Sequence, residues 1–489
     1  MNETPTGLRL LTSQDLQSLH DASLAILSNP GMRIDAPRLR EALGRAGASV
    51  DEAHHVVRFP SSLVEATIEG LQASIRAGSP QVVMNGVVAS LSKPAMALKF
   101  GGACIEVFDH ESQATRQPRR QDLVNLVRLG EALPEVGTVG NPVTYLAEDD
   151  GTPIDPRLQR VRTAALIARY TRKAGPTEVW NGTELQYLME LGEIVRGSRE
   201  AYLAHPCFVT AKETIAPLIL DEAAGEVLLL LAENRLPCTL IPMPVSGGSS
   251  PLSMASNIAL GNAEILGVFS ALRAACPTAN CVGGIISGIL DMRYGAAIFG
   301  APESVLQDLA LAELHERLYG FDFGVGGYVD AKLPGEQIVM EVMGRFALLA
   351  RSGRFNVPVG LLNGGKRFSA EQALVDIEIE RWILESMKPI EVTSDTLRLG
   401  QIRSVGIGGN SLLEEHTLEF MRKNVWYPLL MDRTLPAEDQ QDRARDMLSN
   451  ARQRVRGVLG GSDLYEADAA QCRAIDEVVR AAERDLTSQ

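Results

Sequence analysis

One alternation limits what this chain can fold into. From about residue 137 onward, short apolar runs recur between longer stretches with helical spacing. The runs are "VGTVGNPVTY" (136–145), "GPTEVWNG" (175–182), "HPCFVTA" (205–211), "LPCTLIPMPVSGG" (236–248), "NCVGGIISG" (280–288), "GFDFGVGGY" (320–328), "NVPVGLLNGG" (356–365) and "IRSVGIGGN" (402–410). Helical segments such as "TAALIARYTRK", "APLILDEAAGEVLLLLAEN" and "MASNIALGNAEILGVFSALRAA" lie between them. The runs are apolar at both alternating positions, as buried parallel strands are. Eight β/α units predict a TIM (β/α)8 barrel. A doubly wound open sheet is the runner-up, but the chain carries nothing like the dinucleotide fingerprint of that fold.

The ends read differently. Residues 12 to about 78 show three helical patterns, the first opening on Thr12 with Asp15 three residues on, a capping pair. The expected organisation is a helical N-terminal module (1–90), a barrel domain (91–430) and a C-terminal helical segment (431–489). Residues 83–116 are expected to make extra strands leading into the barrel.

Charge and cysteine usage narrow the function. The net charge of −14 leaves no basic surplus for nucleic acid. "RQPRR" (116–120) reads as a solvated loop. The six cysteines form no C-x-x-C and no Cys/His cluster, so no zinc or other metal site is expected, and they read as buried thiols in a reducing compartment. The opening "MNETPTGLRLL" lacks a signal pattern, and no uninterrupted apolar run reaches the ~18 residues of a membrane helix. A cytoplasmic location is expected.

A barrel works at the C-terminal ends of its strands. In chain order those ends offer Asn141, Tyr145, Trp180, Asn181, Lys212, Glu213, Pro244, Ser246, Ser287, Gly327, Tyr328, Asp330, Asn363, Gly364, Asn410 and, a little later, His416. Glu213, Asp330 and His416 are the candidate catalytic groups. Asn141, Tyr145, Trp180, Lys212, Ser246, Tyr328, Asn363 and Gly364 are the candidate substrate contacts. The set has no G-x-S-x-G elbow and no P-loop lysine. "FGVGGYVDAK" (323–332) departs from G-x-G-x-x-G and reads as the sixth barrel strand running into its loop. Aromatic rings with an occasional carboxylate suit a quaternary ammonium group, which has no N–H to donate. Each residue also has a plainer reading: Trp180 as rim packing, the asparagines as loop ties, the charges as surface pairs.

Several stretches together resemble the trimethylamine methyltransferase family of corrinoid-dependent enzymes, which includes glycine betaine methyltransferase. They are the opening "LHDASLAILSNPGMRID", "GGSSPLSMASNIALGNAEIL" (247–266), "DMRYGAAIFGAPE" (291–303), "YVDAKLPGEQ" (328–337), "VDIEIERW" (375–382) and "VGIGGNSLLEEHT" (405–417), in order along most of the chain. The resemblance implies a TIM barrel and methyl transfer from a methylated amine to the cobalt of a corrinoid (cobalamin) held by a separate partner protein. The chain itself would bind no cofactor. All its residues are standard, so it resembles the branch without pyrrolysine, whose substrates are quaternary amines such as betaines. The departures, Ser249 to Leu252 and "GGKRFSAEQALVD", fall at the mouth and leave the amine open. Lys212, Asn363 or His416 is expected to meet a betaine carboxylate. Two alternatives stand beside this one: a Schiff-base lyase using Lys212 or Lys332, and a barrel that binds a betaine without turnover. Self-association into a homo-oligomer is a further expectation.

Overall fold

The computed structural model describes residues 8–77, 82–83, 87–88, 97–352, 356–412, 414–433 and 446–487. The fold is mixed α/β, and a series of parallel strands lies at its centre. Ala97–Phe100 pairs with Val136–Val139 on one side and with Asn356–Pro358 on the other, so that Lys99 faces both Thr138 and Pro358. A second parallel group runs Ala211–Lys212, Pro237–Leu240, Asn280–Ile285, Phe323–Val325. The segment around Gly175 joins the two. Its N–H reaches Val139 O at 2.9 Å, its carbonyl takes the Phe208 N–H at 2.9 Å, and Thr177 N–H reaches Val209 O at 3.3 Å. Between the two outermost strands the chains pack closely: a Cβ on Gly327 would stand 2.7 Å from Pro358 Cδ.

This architecture shifts the strand count by one. The first central strand is Ala97–Phe100, inside the 83–116 stretch read as lead-in strands, part of which lies outside the described residues. The run at 402–410 is no strand. Leu399–Val405 is a short helix, followed by a turn with positive φ at Gly406 and Gly408. Periodicity alone does not separate a short apolar strand from an apolar helical turn. "GFDFGVGGY" therefore feeds the seventh parallel segment, not the sixth.

The N-terminal region is not helical throughout. The helices Ser13–Ser28, Pro37–Arg45 and Ser61–Arg76 alternate with the strands Met32–Ile34, Ser49–Asp51 and Val56–Arg58. Met32–Ile34 runs parallel to Ile219–Leu220, which ties this region to the body through backbone. The capping pair forms as expected: Thr12 Oγ1 accepts the Asp15 N–H and Asp15 Oδ2 accepts the Thr12 N–H.

Helix Met254–Ala275 is long and apolar enough to cross a membrane by length and composition alone, yet 83% of its most apolar window is buried inside the protein. It is the helix on which the three N-terminal helices rest. Its Glu264 is fully buried and accepts the Leu218 N–H at 2.6 Å and the Thr214 hydroxyl at 2.5 Å. That carboxylate fixes the loop after Ala211–Lys212.

A second buried charge holds the far side. Arg345 and Asp308 pair at 3.1 Å with side chains 2% and 1% exposed. Arg345 also donates to the carbonyls of Gly326 and Phe299, and Asp308 accepts the Ser287 N–H. One ion pair thus joins the ends of the Asn280–Ile285 and Phe323–Val325 segments. Removing one partner of a buried pair strands the other charge, at a cost of about 3–5 kcal/mol. Asp308→Ala is expected to lower stability by that amount, and urea unfolding followed by circular dichroism measures it.

Candidate functional site

The parallel series gives one face where all strand C-termini emerge, and the loops there carry most of the polar residues named above. The chain after Val136–Val139 turns through Asn141 to Tyr145, whose φ of 51° lies in the left-handed region. Thr144, just before that turn, donates its hydroxyl to Glu178 at 2.8 Å. Glu178 lies two residues ahead of Trp180 on the next segment. Burial, the largest influence, raises the Glu178 carboxyl above its ordinary range, against the pull of Thr144, Arg160 and Lys212.

Trp180 is gripped from behind. The Arg160 guanidinium stacks on its ring at 4.4 Å and is itself paired with the buried Glu184 at 2.7 Å. Trp180 and Tyr145 meet edge to face at 5.6 Å, and both remain about 40% exposed. A protein cation already covers one indole face, so a second cation has only the other face to use. Asn181 is spent on structure: it caps the next helix by accepting the Glu184 N–H at 3.1 Å.

The next loop brings in Lys212 and Glu213. Burial pushes Glu213 up to about 7, the negative field of Glu178 adds to the shift, and Lys212 opposes it. Its side chain is open to solvent yet surrounded by protein, as a carboxyl in a concave wall is. Lys212 is lowered by burial against the attraction of Glu213, Asp221, Glu178 and Glu184. Across the mouth, Tyr328 stands edge-on to Phe299 at 6.0 Å and packs over Gly365, where a Cβ would come within 2.8 Å of the ring. Burial raises the Tyr328 hydroxyl, helped by the fields of Cys104, Glu213 and Glu178. Glu178, Lys212, Glu213 and Tyr328 therefore form one electrostatic group, with the Trp180–Tyr145 pair beside it. Asn141 is buried at its edge. Its carbonyl takes the Ala103 N–H at 2.9 Å, and its amide side chain has no hydrogen bond to any described residue.

Other candidates fall away for local reasons. Asp330 accepts the N–H groups of Phe299 and Gly300 at 2.9 and 2.6 Å, so it anchors a loop and does not face the group. Ser246 is 1% exposed and its hydroxyl is committed to Gln307 at 2.9 Å. Asn363 and Gly364 have left-handed φ and pass their N–H groups to Ala331 and Val329, joining the two neighbouring loops through backbone. His416 stands on the helix Glu415–Asn424, outside the parallel series, with Nδ1 2.8 Å from Gln401 Nε2. Its place followed from the strand count, and that count was off by one.

Two residues escaped the sequence reading. Glu178 sits inside the quoted run "GPTEVWNG", one alternation before Trp180, and that spacing was a usable signal. Lys99 was hidden by the missed first strand. Its neighbours Leu98 and Phe100 are fully buried, with Phe100 against Phe368 at 5.5 Å on the helix-covered side. Alternation turns Lys99 to the inner face. It is 9% exposed, its ammonium has no ion pair or hydrogen bond to a described residue, and burial lowers it to about 8.

The family model described as trimethylamine methyltransferase (MTTB) matches residues 2–486. The chain belongs to that family. It is 27% identical over 479 residues to a trimethylamine methyltransferase MttB of Desulfitobacterium hafniense, covering 96% of this chain and 94% of the relative. It is 25% identical over 430 residues to a glycine betaine methyltransferase from another strain of D. hafniense, covering 87% of each. Among solved structures, the crystal structure of the Methanosarcina barkeri monomethylamine methyltransferase (MtmB) matches 99% of this chain and 90% of its own, at 12% identity and a TM-score of 0.47. The family makes the electrostatic group a place to look for an amine, and it makes Lys99 a residue to be explained.

An unpaired buried ammonium costs stability. A lysine held at about 8 against the ordinary 10.5 costs at most about 3 kcal/mol below pH 8. The folded value is depressed, so the penalty is full below pH 8, fades as pH rises toward 10.5 and is absent above. Lys99→Met is expected to raise the melting temperature at pH 7, with the gain vanishing near pH 10.5. Thermal melts across that range read it directly.

Proposed function

We propose that this chain removes a methyl group from a quaternary or otherwise methylated amine, such as a betaine, and delivers it to a corrinoid carried by a separate partner protein. The strand series is then a closed (β/α)8 barrel with its site at the C-terminal mouth, and the enzyme works in a reducing cytoplasm. The six free cysteines agree with that compartment. One observation carries the reading: Glu178 and Glu213 converge beside Tyr328 and the exposed edges of Trp180 and Tyr145.

A carboxylate raised by the field of a second one is a poor arrangement alone and a good one around a cation. The rings supply shape and π-faces for N-methyl groups, which offer nothing to hydrogen-bond. Reduced cobalt supplies the nucleophile when the corrinoid protein is bound. The protein's part is orientation and exclusion of water. Glu178 is held by the Thr144 hydroxyl, so the cation is drawn to a fixed point. A quaternary nitrogen departs as a neutral amine and needs no proton, so Glu213 has no acid role to fill. The positive charge that the carboxylates hold disappears as the methyl leaves, so they secure binding more than rate. The rim suits a large partner. Ile215, Leu252, Met292, Tyr294 and Leu333 are all more than half exposed on four successive loops of the same face.

Thermal-shift titration with tetramethylammonium, glycine betaine and trimethylamine tests the reading, with 3,3-dimethylbutanol as an uncharged isostere. At least one cation is expected to raise the melting temperature while the isostere does not. Equal shifts from both would discard a cation site. The pH dependence has a definite sign. Glu213 gains its charge as pH rises through about 7, so affinity for the cation is expected to tighten by about tenfold from pH 6 to 8. Glu213→Gln flattens that profile. Loss of one methyl from the amine, read by NMR in the presence of reduced corrinoid protein, then separates transfer from binding alone.

A further inference from the structure

The Lys99 ammonium plays no part in holding a methylated nitrogen. It belongs to the last residue but one of Ala97–Phe100, in register with Thr138 on one side and Pro358 on the other. Gly101, two residues on in the same alternation, is buried, yet a Cβ there would meet nothing within 4 Å. Open space therefore begins beside the lysine, inside the protein. Other inward positions leave room as well. A Cβ on Gly283 would stand 2.7 Å from the Phe323 ring and 3.6 Å from Phe269 of helix Met254–Ala275, so Gly283 faces the helices. Alternation then turns Gly284 and its register partner Gly324 inward, where strands of this kind usually carry bulky branched side chains.

A second free donor belongs to the same stretch. Asn141 follows the neighbouring strand, and its carbonyl takes the Ala103 N–H at 2.9 Å, which sets it against the turn after Gly101. Its side chain is buried, and its amide, like the Lys99 ammonium, is bonded to no described residue. Tyr328 connects this turn to the carboxylates: its hydroxyl lies in the fields of Cys104, five residues after Lys99, and of Glu213 and Glu178. Lys99 lies in the field of neither carboxylate, and burial alone acts on it. An ammonium within reach of Glu213 would pair with it and relieve both groups. The two charges are kept apart instead, one on each side of an open interior.

We propose, on the reading of the mouth as an amine site, that Lys99 holds the anionic end of the substrate, so that the amine this chain accepts is a zwitterion with a carboxylate a few bonds from its methylated nitrogen. Charge and donor number single out a carboxylate. One ammonium and one amide match a planar monoanion, whereas a phosphate dianion asks for more donors. A lone cation such as tetramethylammonium brings a second positive charge into an interior that already holds one unpaired. A betaine brings both partners at once: its nitrogen meets Glu178 and Glu213, and its carboxylate meets Lys99. The other groups expected to meet a carboxylate are engaged or misplaced. Lys212 lies in the fields of Glu213, Asp221, Glu178 and Glu184, and His416 stands outside the parallel series.

Calorimetric titration of the full-length protein at neutral pH tests this with three ligands. Glycine betaine carries both charges, tetramethylammonium lacks the carboxylate, and 3,3-dimethylbutanoate keeps the carboxylate with carbon in place of nitrogen. Lys99→Met is expected to weaken both carboxylates by at least about tenfold, the loss of one partner of a buried charge pair, and to leave tetramethylammonium unchanged. Glycine betaine affinity that is the same in both proteins overturns the inference. So does a variant that loses tetramethylammonium as well, or a native protein that binds neither carboxylate. If tetramethylammonium alone fails to bind while 3,3-dimethylbutanoate still depends on Lys99, the anion site stands and the amine reading falls. The native protein gives an independent readout. Only the charged lysine holds an anion, so affinity for either carboxylate is expected to fall about fivefold from pH 8 to 9 as Lys99 loses its proton. A flat profile over that range rejects Lys99 as the partner.

Discussion

The Arg345–Asp308 pair is the constraint that the C-terminal face of the parallel strands leans on. Two charges with almost no exposure stay buried only with close geometry and further hydrogen bonds around them. Here the two terminal nitrogens of Arg345 reach Asp308, Gly326 O and Phe299 O, and Asp308 accepts the Ser287 N–H. That network sets the height at which the glycine-rich run emerges and hence where Tyr328 stands. Glu264 does the same for the Lys212–Glu213 loop, and the Arg160–Glu184 pair does it for Trp180. In each case a buried charge behind the wall positions a residue on its surface.

The mouth itself is built on the opposite principle. Its charges are incompletely matched: the field of Glu178 raises Glu213, Lys212 answers them only in part, and the buried Lys99 ammonium has no partner among the described residues. Buried networks that serve stability alone tend to be satisfied, so unsatisfied ones point to a ligand or a reaction. The same contrast separates Asp330, fully engaged by two backbone N–H groups, from Glu213, which has no such engagement.

Much of this was legible in the sequence, for reasons that also explain what was not. Long amphipathic helices and buried strands leave strong patterns, so the α/β alternation, the Thr12 cap and the positions of Tyr145, Trp180, Lys212, Glu213 and Tyr328 at strand ends could be read. The first strand could not, because Ala97–Phe100 is only four residues long and carries a lysine in the middle. The apolar, glycine-rich 402–410 took its place in the count, and His416 was carried to the mouth with it. Apolar residues record that a surface is to be covered, not what covers it. Residues 387–431 leave theirs uncovered by the chain's own core. Ser246 and Asp330 show a second limit: a strand-end position does not reveal whether a polar atom is already bonded to its neighbours.

The clamp at Glu378 has a consequence for how such a protein can change over time. Residues 387–431 leave the end of helix Ala370–Ser386 and return onto its middle, where the N–H groups of Leu429, Leu430 and Met431 share the Glu378 carboxylate. Backbone donors are indifferent to side-chain identity. Insertions, deletions and substitutions between those anchors leave the entry and exit of the chain where they were, and with them the strands and the mouth. Residues 387–431 can therefore drift at their own rate, as a cassette whose sequence answers to whatever it touches, while the polar group at the strand ends answers to the parallel strands.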